Sequence, residues 1–435
     1  MATVTINPDK TMSIDGKKTF PVYMYYTCNA HFENNTGVEP CNPSKNGEFL
    51  FSGGGASYQN FATNYNGKYE QSNEMYTLVG AQINEIPQEL INSNSFFGYY
   101  SKDEPVAGDE DVLQSIYNRV KARDTNHPLI LNVWSDMTKW IPYGDIISWD
   151  VYTIKKHRWS EINTKNVCEA NGAYWDPVDN KCYYWPREYS IYIYEQWSRQ
   201  ADSVGNTLAN LQTVNKPVWA VIQGNGLPCC GGILVPIPKE VRANTYTAIT
   251  MNVNGIGYWG YLSWGGPLTS TPEFPYGTVG LYNNQILHQY YIQIAKEIIY
   301  LNDILILPTK DFSWHYRQGT GVTFNKTLTV QTFYGQRTNF NYILKQSGIA
   351  TYLIVVNKDT RPISDVGITI QGLTGSMTAT TIGLSEAGSI PGRTLPVTDG
   401  QFTDSFDGLA VHIYQIEEEI CPQSLCDFTI IQNKI

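Results

Sequence analysis

The sequence has little charge and no long apolar run. Charged residues make up 16% of the 435 residues, and the formal net charge is -10. No run of lysine or arginine occurs, so the phosphate backbone of a nucleic acid is not an expected partner. No apolar segment approaches the ~20 residues that a membrane-spanning helix needs. We therefore expect neither nucleic-acid binding nor a membrane span.

Motifs of metal, acyl-transfer and nucleotide chemistry are also missing from the sequence. None of the six histidines pairs at metal-ligand spacing, and the eight cysteines form no CxxC pair. Neither a GxSxG elbow nor a glycine-rich phosphate loop is present. We expect no metal and no other cofactor.

The eight cysteines form an even set, which favours disulfides. Cys168 and Cys182 are the strongest predicted pair, because they lie in a polar and aromatic insertion at about 155–187 that lacks a core of its own. Closing a loop of about 15 residues contributes ~3 kcal/mol in the chain-entropy model. Disulfides favour a secreted protein, and they also occur inside hyperthermophiles.

For the neighbouring Cys229 and Cys230, two pairings are open. They form a vicinal bridge, or they pair with Cys28 and Cys41. The other cysteines assigned to disulfides are Cys421 and Cys426.

Eight apolar runs alternate with crossover segments over about the first 300 residues. This alternation predicts an α/β fold with a closed (β/α)8 TIM barrel over 1–307. The alternative, an open doubly wound sheet, would place a glycine-rich phosphate loop after the first strand, where the sequence reads YTCNAHF. The predicted strands are 19–27, 48–52, 75–81, the FFGYYSKDEP stretch at 96–105, 129–134, 145–152, 218–223 and 255–264.

The pattern of apolar and polar residues changes near Leu307. From 308 to 435, short runs of alternating apolar and polar residues are separated by turn residues. This pattern predicts a C-terminal all-β sandwich domain.

The fourth predicted strand ends in two adjacent carboxylates, Asp103 and Glu104, followed by Pro105. Functional residues of α/β barrels gather where strands end and βα loops begin, so chemistry is expected at this position. An acidic helix start follows at 109–111. The apolar positions predicted to share one face of that helix are Val112, Leu113, Ile116 and Val120.

The chain resembles TIM-barrel glycoside hydrolases that carry a C-terminal β-sandwich, in the broad group that includes the retaining clan with its acid/base on the fourth strand. The resemblance rests on IDGKKTFPVYMY, FFGYYSKDEP, DIISWDVY, KPVWAVIQ and NGIGYWGY. It implies that Glu104 is the general acid/base and that Asp103 stands where an asparagine usually precedes it. An adjacent carboxylate favours the protonated form of Glu104, which an acid needs.

The seventh strand departs from the retaining clan. That clan carries a glutamate nucleophile there, whereas this chain has Gln223, whose carboxamide cannot act as a carboxylate nucleophile. Glycoside hydrolysis normally needs two carboxyl groups. Candidates for the second, in order of preference, are Asp150, Asp103 and Asp136.

Aromatic and amide side chains near strand ends are candidates for binding sugar rings and hydroxyls. Two classes of function follow. The first is an extracellular glycosidase of poly- or oligosaccharides, secreted with a cleaved leader that this sequence does not carry. The second is a catalytically inactive carbohydrate-binding surface protein. The predicted binding residues are Trp134, Tyr152, Trp259, Tyr261, Trp264, Gln223 and Asn132.

Overall fold

The computed structural model of the chain contains a parallel barrel and a large antiparallel sheet. The residues that the structure describes are 3–29, 57–62, 76–80, 88–92, 94, 96–133, 137–152, 154, 163–170, 174–177, 180–183, 190–192, 216–224, 234–259, 285–314, 317–332, 335–348 and 350–418.

Eight parallel strands close into a barrel, so the fold is a TIM-barrel-like α/β fold. Each strand pairs with two neighbours, and the last strand of the barrel returns to the first through Ile256 opposite Val22. The barrel strands are β4 (Val22–Asn29), β5 (Ser57–Ala62), β6 (Tyr76–Gly80), β7 (Phe96–Asp103), β8 (Leu129–Val133), β9 (Ile146–Asp150), β12 (Val218–Gln223) and β13 (Gly255–Trp259).

The second barrel strand is not where the sequence predicted it. The prediction was 48–52, which lies outside the described residues, and the structure places the strand at Ser57–Ala62. This strand, SYQNFA, has two aromatic residues three positions apart and no aliphatic run, so it shows neither strict alternation nor a continuous apolar run. The other seven strands overlap their predicted positions.

Large rings fill the barrel interior. Trp219 contacts both Tyr23 and Phe97 there, with ring centroids 5.2 Å and 5.9 Å apart. A side chain at Gly257 would place its Cβ 2.2 Å from the Tyr23 ring, so this strand position requires glycine. A small sheet covers the N-terminal end of the barrel; its strands are β1 (Val4–Ile6), β2 (Met12–Ile14) and β3 (Lys17–Thr19).

The helix after β7 packs on the barrel through one apolar face. Leu113, Ile116 and Val120 are buried, as predicted, but Val112 is 51% exposed. Val112 lies at the margin of the apolar stripe, so the prediction was wrong for this residue. The helices are α1 (Gln88–Ile91), α2 (Glu110–Arg123), α3 (Met137–Trp140), α4 (Lys165–Ala170), α5 (Pro238–Thr250), α6 (Gln285–Tyr300) and α7 (Asn302–Leu305), with 3-10 turns at Ile141–Tyr143 and Ser385–Ala387.

None of the helices in the described ranges is long and apolar enough to span a membrane.

The cysteine-bearing insertion contains the predicted disulfide. Cys168 on α4 bonds to Cys182, with their Cα atoms 5.6 Å apart. Cys182 belongs to a hairpin of β10 (Tyr174–Asp176) and β11 (Lys181–Tyr183). Cys28 lies on β4, but its side chain is not among those described, so its pairing stays a prediction. The cysteines outside the described residues are Cys41, Cys229, Cys230, Cys421 and Cys426.

The C-terminal part is a nine-stranded antiparallel sheet in the order β14-β18-β19-β24-β21-β22-β23-β20-β15, and β16 pairs with β17. The predicted sandwich is thus one large hydrogen-bonded sheet. Phe324 on β15 stacks on Phe340 of β18 at 4.6 Å, so strands distant in this order face each other. The strands are β14 (Thr309–Ser313), β15 (Val322–Phe324), β16 (Thr329–Thr332), β17 (Gly335–Thr338), β18 (Phe340–Gln346), β19 (Thr351–Asn357), β20 (Ile363–Ile370), β21 (Ser376–Thr381), β22 (Thr394–Thr398), β23 (Gln401–Phe406) and β24 (Val411–Glu418).

A buried polar cluster joins the barrel to this sheet. Glu297 on α6 accepts hydrogen bonds from Arg242 and Tyr246 of α5, and from Ser389 and the Leu384 backbone N–H of the C-terminal part. Aliphatic residues of α5, α6 and the sheet surround the cluster. The two parts therefore pack together through a continuous core.

Candidate active site

Three neighbouring barrel strands carry polar side chains to the same end of the barrel. β7 ends at Asp103, β8 carries Asn132 opposite it, and β9 ends at Asp150. Asn132 is also opposite Ser148 of β9. Since the strands are parallel, their carboxyl ends meet at one edge of the barrel, where the sequence predicted the site.

An irregularity in β7 sets which residue faces Asn132. Tyr100 pairs with Ile130, yet Asn132 pairs with Asp103. A regular ladder would place Lys102 opposite Asn132, so one extra residue in β7 moves Asp103 into this position. Bulges of this type re-aim side chains and are frequent next to active sites.

One amide group bridges two carboxylates. Asn132 Nδ2 donates to Asp103 Oδ1 at 2.9 Å and to Asp150 Oδ2 at 3.0 Å. The Tyr100 hydroxyl donates to the same Asp103 oxygen at 2.8 Å. Asn132 therefore holds the two acids at a fixed spacing on either side of its amide nitrogen.

Asp150 is buried, with 5% of its surface exposed. Desolvation raises the pKa of its carboxyl well above the usual value, and the negative charges of Asp103 and Glu104 raise it further. The Asn132 amide, which donates to this carboxyl, opposes the rise of the pKa without cancelling it. Asp150 thus favours the protonated form.

Glu104 follows the end of β7 in a left-handed backbone conformation, with φ of +42°. Its backbone N–H donates to the carbonyl of Asn132 at 3.1 Å, which fixes the turn. The residue as a whole is exposed to solvent, while its carboxyl group lies close enough to the protein to be partly desolvated. Desolvation of the carboxyl group and the charge of Asp103 raise the pKa of Glu104, as the adjacent carboxylate predicted.

Several buried polar atoms here have no hydrogen-bond partner among the described residues: Asn132 Oδ1, Asp150 Oδ1 and the Tyr152 hydroxyl. Buried polar groups are normally paired, so each unpaired group needs an explanation. A hydroxyl-bearing ligand has the donors and acceptors that these three atoms lack.

An aromatic pair lies next to these polar atoms. Tyr152 follows β9 and stacks on Trp259, the last residue of β13, with ring centroids 4.9 Å apart and planes 27° apart. Both residues are half-buried and pack against the rings of the barrel interior. The other predicted site residues, Trp134, Asp136, Tyr261 and Trp264, lie outside the described residues.

Gln223 on β12 is fully buried and bonds to the backbone. Its Nε2 donates to the carbonyls of Ile154 and Leu234, and its Oε1 accepts from the N–H of Ile154. The Tyr291 hydroxyl donates to the carbonyl of Gln223. Both amide hydrogens are thus used in joining the segments after β9 and β12.

Sequence reasoning missed the hydroxyl groups beneath the carboxylates. The Tyr23 hydroxyl lies 2.6 Å from Ser148 Oγ. Burial raises the pKa of Tyr23, and the charges of Asp150 and Asp103 raise it further. A period of two along the strands was the available signal, since Ser148 and Asp150 are two positions apart on β9. Among the described residues, no three His, Cys, Asp or Glu side chains are grouped as metal ligands.

Comparisons with known proteins agree with this fold. No family model matches the chain, and no curated protein matches its sequence. A solved structure named "Glycoside hydrolase" matches with 10% identity and a TM-score of 0.56, over 96% of this chain and 97% of its own. A glycoside hydrolase family 5 protein from Bacteroides vulgatus matches with 10% identity and a TM-score of 0.51, over 97% and 94%. At this identity the likeness shows the fold alone, which is that of TIM-barrel glycoside hydrolases.

Proposed function

We propose that this (β/α)8 barrel, with its C-terminal β-sandwich, hydrolyses glycosidic bonds of an extracellular poly- or oligosaccharide. The observation that carries the proposal is the cluster of polar side chains at three adjacent strand ends. In this cluster Asn132 bridges Asp103 and Asp150 beside Glu104. The Cys168–Cys182 disulfide supports secretion.

Glu104 is the proposed proton donor. It is exposed at the end of β7, and its raised pKa keeps a larger fraction of the carboxyl protonated. A general acid must deliver a proton to the leaving oxygen, and a raised pKa is the usual way in which a carboxyl is tuned for this task.

Asp150 and Asp103 are proposed as the partners of Glu104. Both accept from one Asn132 nitrogen, and desolvation together with the charge of Asp103 raises the pKa of Asp150. Because neighbouring negative charges repel, the pair favours a single shared charge. The second carboxylate must be ionised to act as nucleophile or base. Asp150 is the candidate that the sequence favours, and half-buried Asp103, which accepts from both Asn132 and Tyr100, is the alternative that the surroundings favour.

The stacked pair of Tyr152 and Trp259 is proposed as the floor of a sugar subsite. The Asn132 oxygen that has no partner among the described residues is available to a sugar hydroxyl. Trp134 and Trp264 stay predicted binding residues. Gln223 was predicted to bind substrate as well, but its engaged amide supports a role in holding the loops around the site.

Release of reducing ends from a panel of purified polysaccharides tests the proposed function. We expect the wild-type protein to release reducing sugar from at least one of them, and we expect Glu104→Gln, which keeps the size of the side chain, to release much less. Glu110→Gln is the matched control, because Glu110 is a carboxylate on α2 that pairs with Lys139.

The second candidate is a carbohydrate-binding protein without turnover. The seventh strand favours this second candidate, because it carries Gln223 in place of a carboxylate. The Gln223 side chain is bound to backbone groups. Saturable binding of a polysaccharide by the wild type, with no reducing-sugar release, would establish this alternative and overturn hydrolysis.

A further inference from the structure

A cavity of about 350 Å³ lies at the N-terminal end of the barrel, opposite to the candidate active site. Its lining includes Lys10 of the N-terminal hairpin, Phe20 before β4, and Asn252 before β13. Thr309 and Lys345 of the C-terminal sheet complete the wall. Three parts of the chain therefore meet around one cavity.

Lys345 in this wall is a buried cation. Only 6% of its surface is exposed, and its Nζ donates to the carbonyl of Leu307 at 2.9 Å and to Thr309 Oγ1 at 3.1 Å. Both partners are uncharged, and an ammonium group has three protons to donate. Burial lowers the pKa of Lys345 to about 8, and no charged group of the described residues offsets this effect.

The remaining charges around the cavity add to its positive character. Lys10 is half-buried in the lining. Asp9 is the one acidic residue of the described lining, and its carboxylate is engaged by Lys18 at 2.7 Å and by Thr11. An anion in the cavity would therefore face two lysines and a carboxylate that is already paired.

We propose that this cavity binds a small oxyanion, namely a carboxylate, phosphate or sulfate, with Lys345 as its central ligand. A buried cation is costly without a counter-charge, and a bound oxyanion supplies both the charge and acceptors for the remaining ammonium proton. Because the cavity lies between the hairpin, the barrel and the sheet, a bound anion would stabilise the packing of these three parts. The candidate active site at the other end does not take part.

Thermal unfolding of the full chain in acetate, inorganic phosphate, sulfate or chloride at equal ionic strength tests the proposal. Binding to the native state alone raises Tm, by about 2 °C or more at 100 times the Kd for a protein of this size. We expect at least one oxyanion to exceed chloride by this amount, and the rank of the three identifies the preferred class. Lys345→Met should abolish the part of this difference that comes from binding.

Lys310→Met is the matched control. Lys310 is an exposed lysine of the neighbouring strand β14, and its Nζ bonds to Gln346 outside the cavity. Phosphate and sulfate also stabilise proteins by exclusion from the surface, and that general effect persists in both variants. The readout is therefore the oxyanion effect that Lys310→Met keeps and Lys345→Met loses.

Direct titration with the preferred anion should give one site per chain in the wild type and none in Lys345→Met. If Lys345→Met does not fold, Lys10→Met should weaken the anion-dependent Tm shift. An equal Tm in all four salts, or an anion effect of unchanged size in the Lys345 and Lys10 variants, would overturn the proposal.

Discussion

Two buried carboxylates, Asp150 at the strand ends and Glu297 at the junction of barrel and sheet, have opposite surroundings. Glu297 has none of its surface exposed, and it accepts from an arginine, two hydroxyls and a backbone N–H. Asp150 accepts from one neutral amide, has two acidic neighbours and keeps one oxygen without a partner among the described residues.

The difference shows that burial alone does not mark a functional acid. A buried charge with a complete set of donors holds the structure together, whereas a buried acid with few donors and like-charged neighbours has a perturbed pKa and unused hydrogen-bonding capacity. By this criterion we propose that the strand ends form the functional region and that the Glu297 cluster is structural.

The largest effect on stability is expected from breaking the Glu297 cluster. Arg242→Met leaves Glu297 buried without its counter-charge, which typically costs about 3 to 5 kcal/mol in the free energy of unfolding. Urea denaturation measures this loss. Lys239→Met on the exposed side of the same helix is the control and should stay within about 0.5 kcal/mol. A loss below about 1 kcal/mol in Arg242→Met would show that the cluster is not structural.

A smaller effect is expected from removing one hydroxyl in each region. Tyr246→Phe removes a 2.7 Å hydrogen bond to Glu297 and should cost about 1.5 to 3 kcal/mol, as is usual for bonds to charged groups. Tyr152→Phe removes a hydroxyl that lies near Asp150 without hydrogen-bond geometry, so it should cost less than about 0.5 kcal/mol. Equal losses in the two variants would mean that Tyr152 does bond to the carboxylate of Asp150.

An effect on stability of the opposite sign is expected from Asp150→Asn. The folded-state pKa of Asp150 is raised. Its contribution to the free energy of unfolding is therefore fully present below the unfolded-state pKa of about 3.8, and it is lost as pH rises through the folded-state pKa. Near pH 8, Asp150→Asn should therefore be more stable than the wild type, because the asparagine has no charge to bury. This gain should vanish near pH 4, and urea denaturation at both pH values measures it. Destabilisation at pH 8 would contradict the assignment.

The apolar parts of the fold could be predicted from the sequence. The runs at Phe96–Asp103 and Val218–Gln223 are buried on both faces, so their hydrophobicity identified them as barrel strands. Ser57–Ala62 escaped prediction because its residues lack that signal. The disulfide between Cys168 and Cys182 was predictable because a polar insertion needs a crosslink.

The arrangement of the site could be predicted only in part. Carboxylates at the ends of the fourth and sixth strands indicated where Glu104 and Asp150 would lie. The bridge through Asn132 depends on one irregular residue in β7, and the sequence contains no sign of that register shift. Likewise, the partners of Gln223 are backbone groups of Ile154 and Leu234, which no side-chain pattern reveals.

The central claim, that Glu104 donates the proton, is tested most directly by Glu104→Gln on two substrates. A polysaccharide has a poor leaving group that needs protonation, so its turnover should fall by about 10²- to 10⁴-fold while binding persists. An aryl glycoside with a good leaving group needs less protonation, so cleavage of its glycosidic bond should fall far less. Asp150→Asn should impair both substrates if Asp150 supplies the second carboxylate. Near-normal polysaccharide turnover by Glu104→Gln would contradict the account.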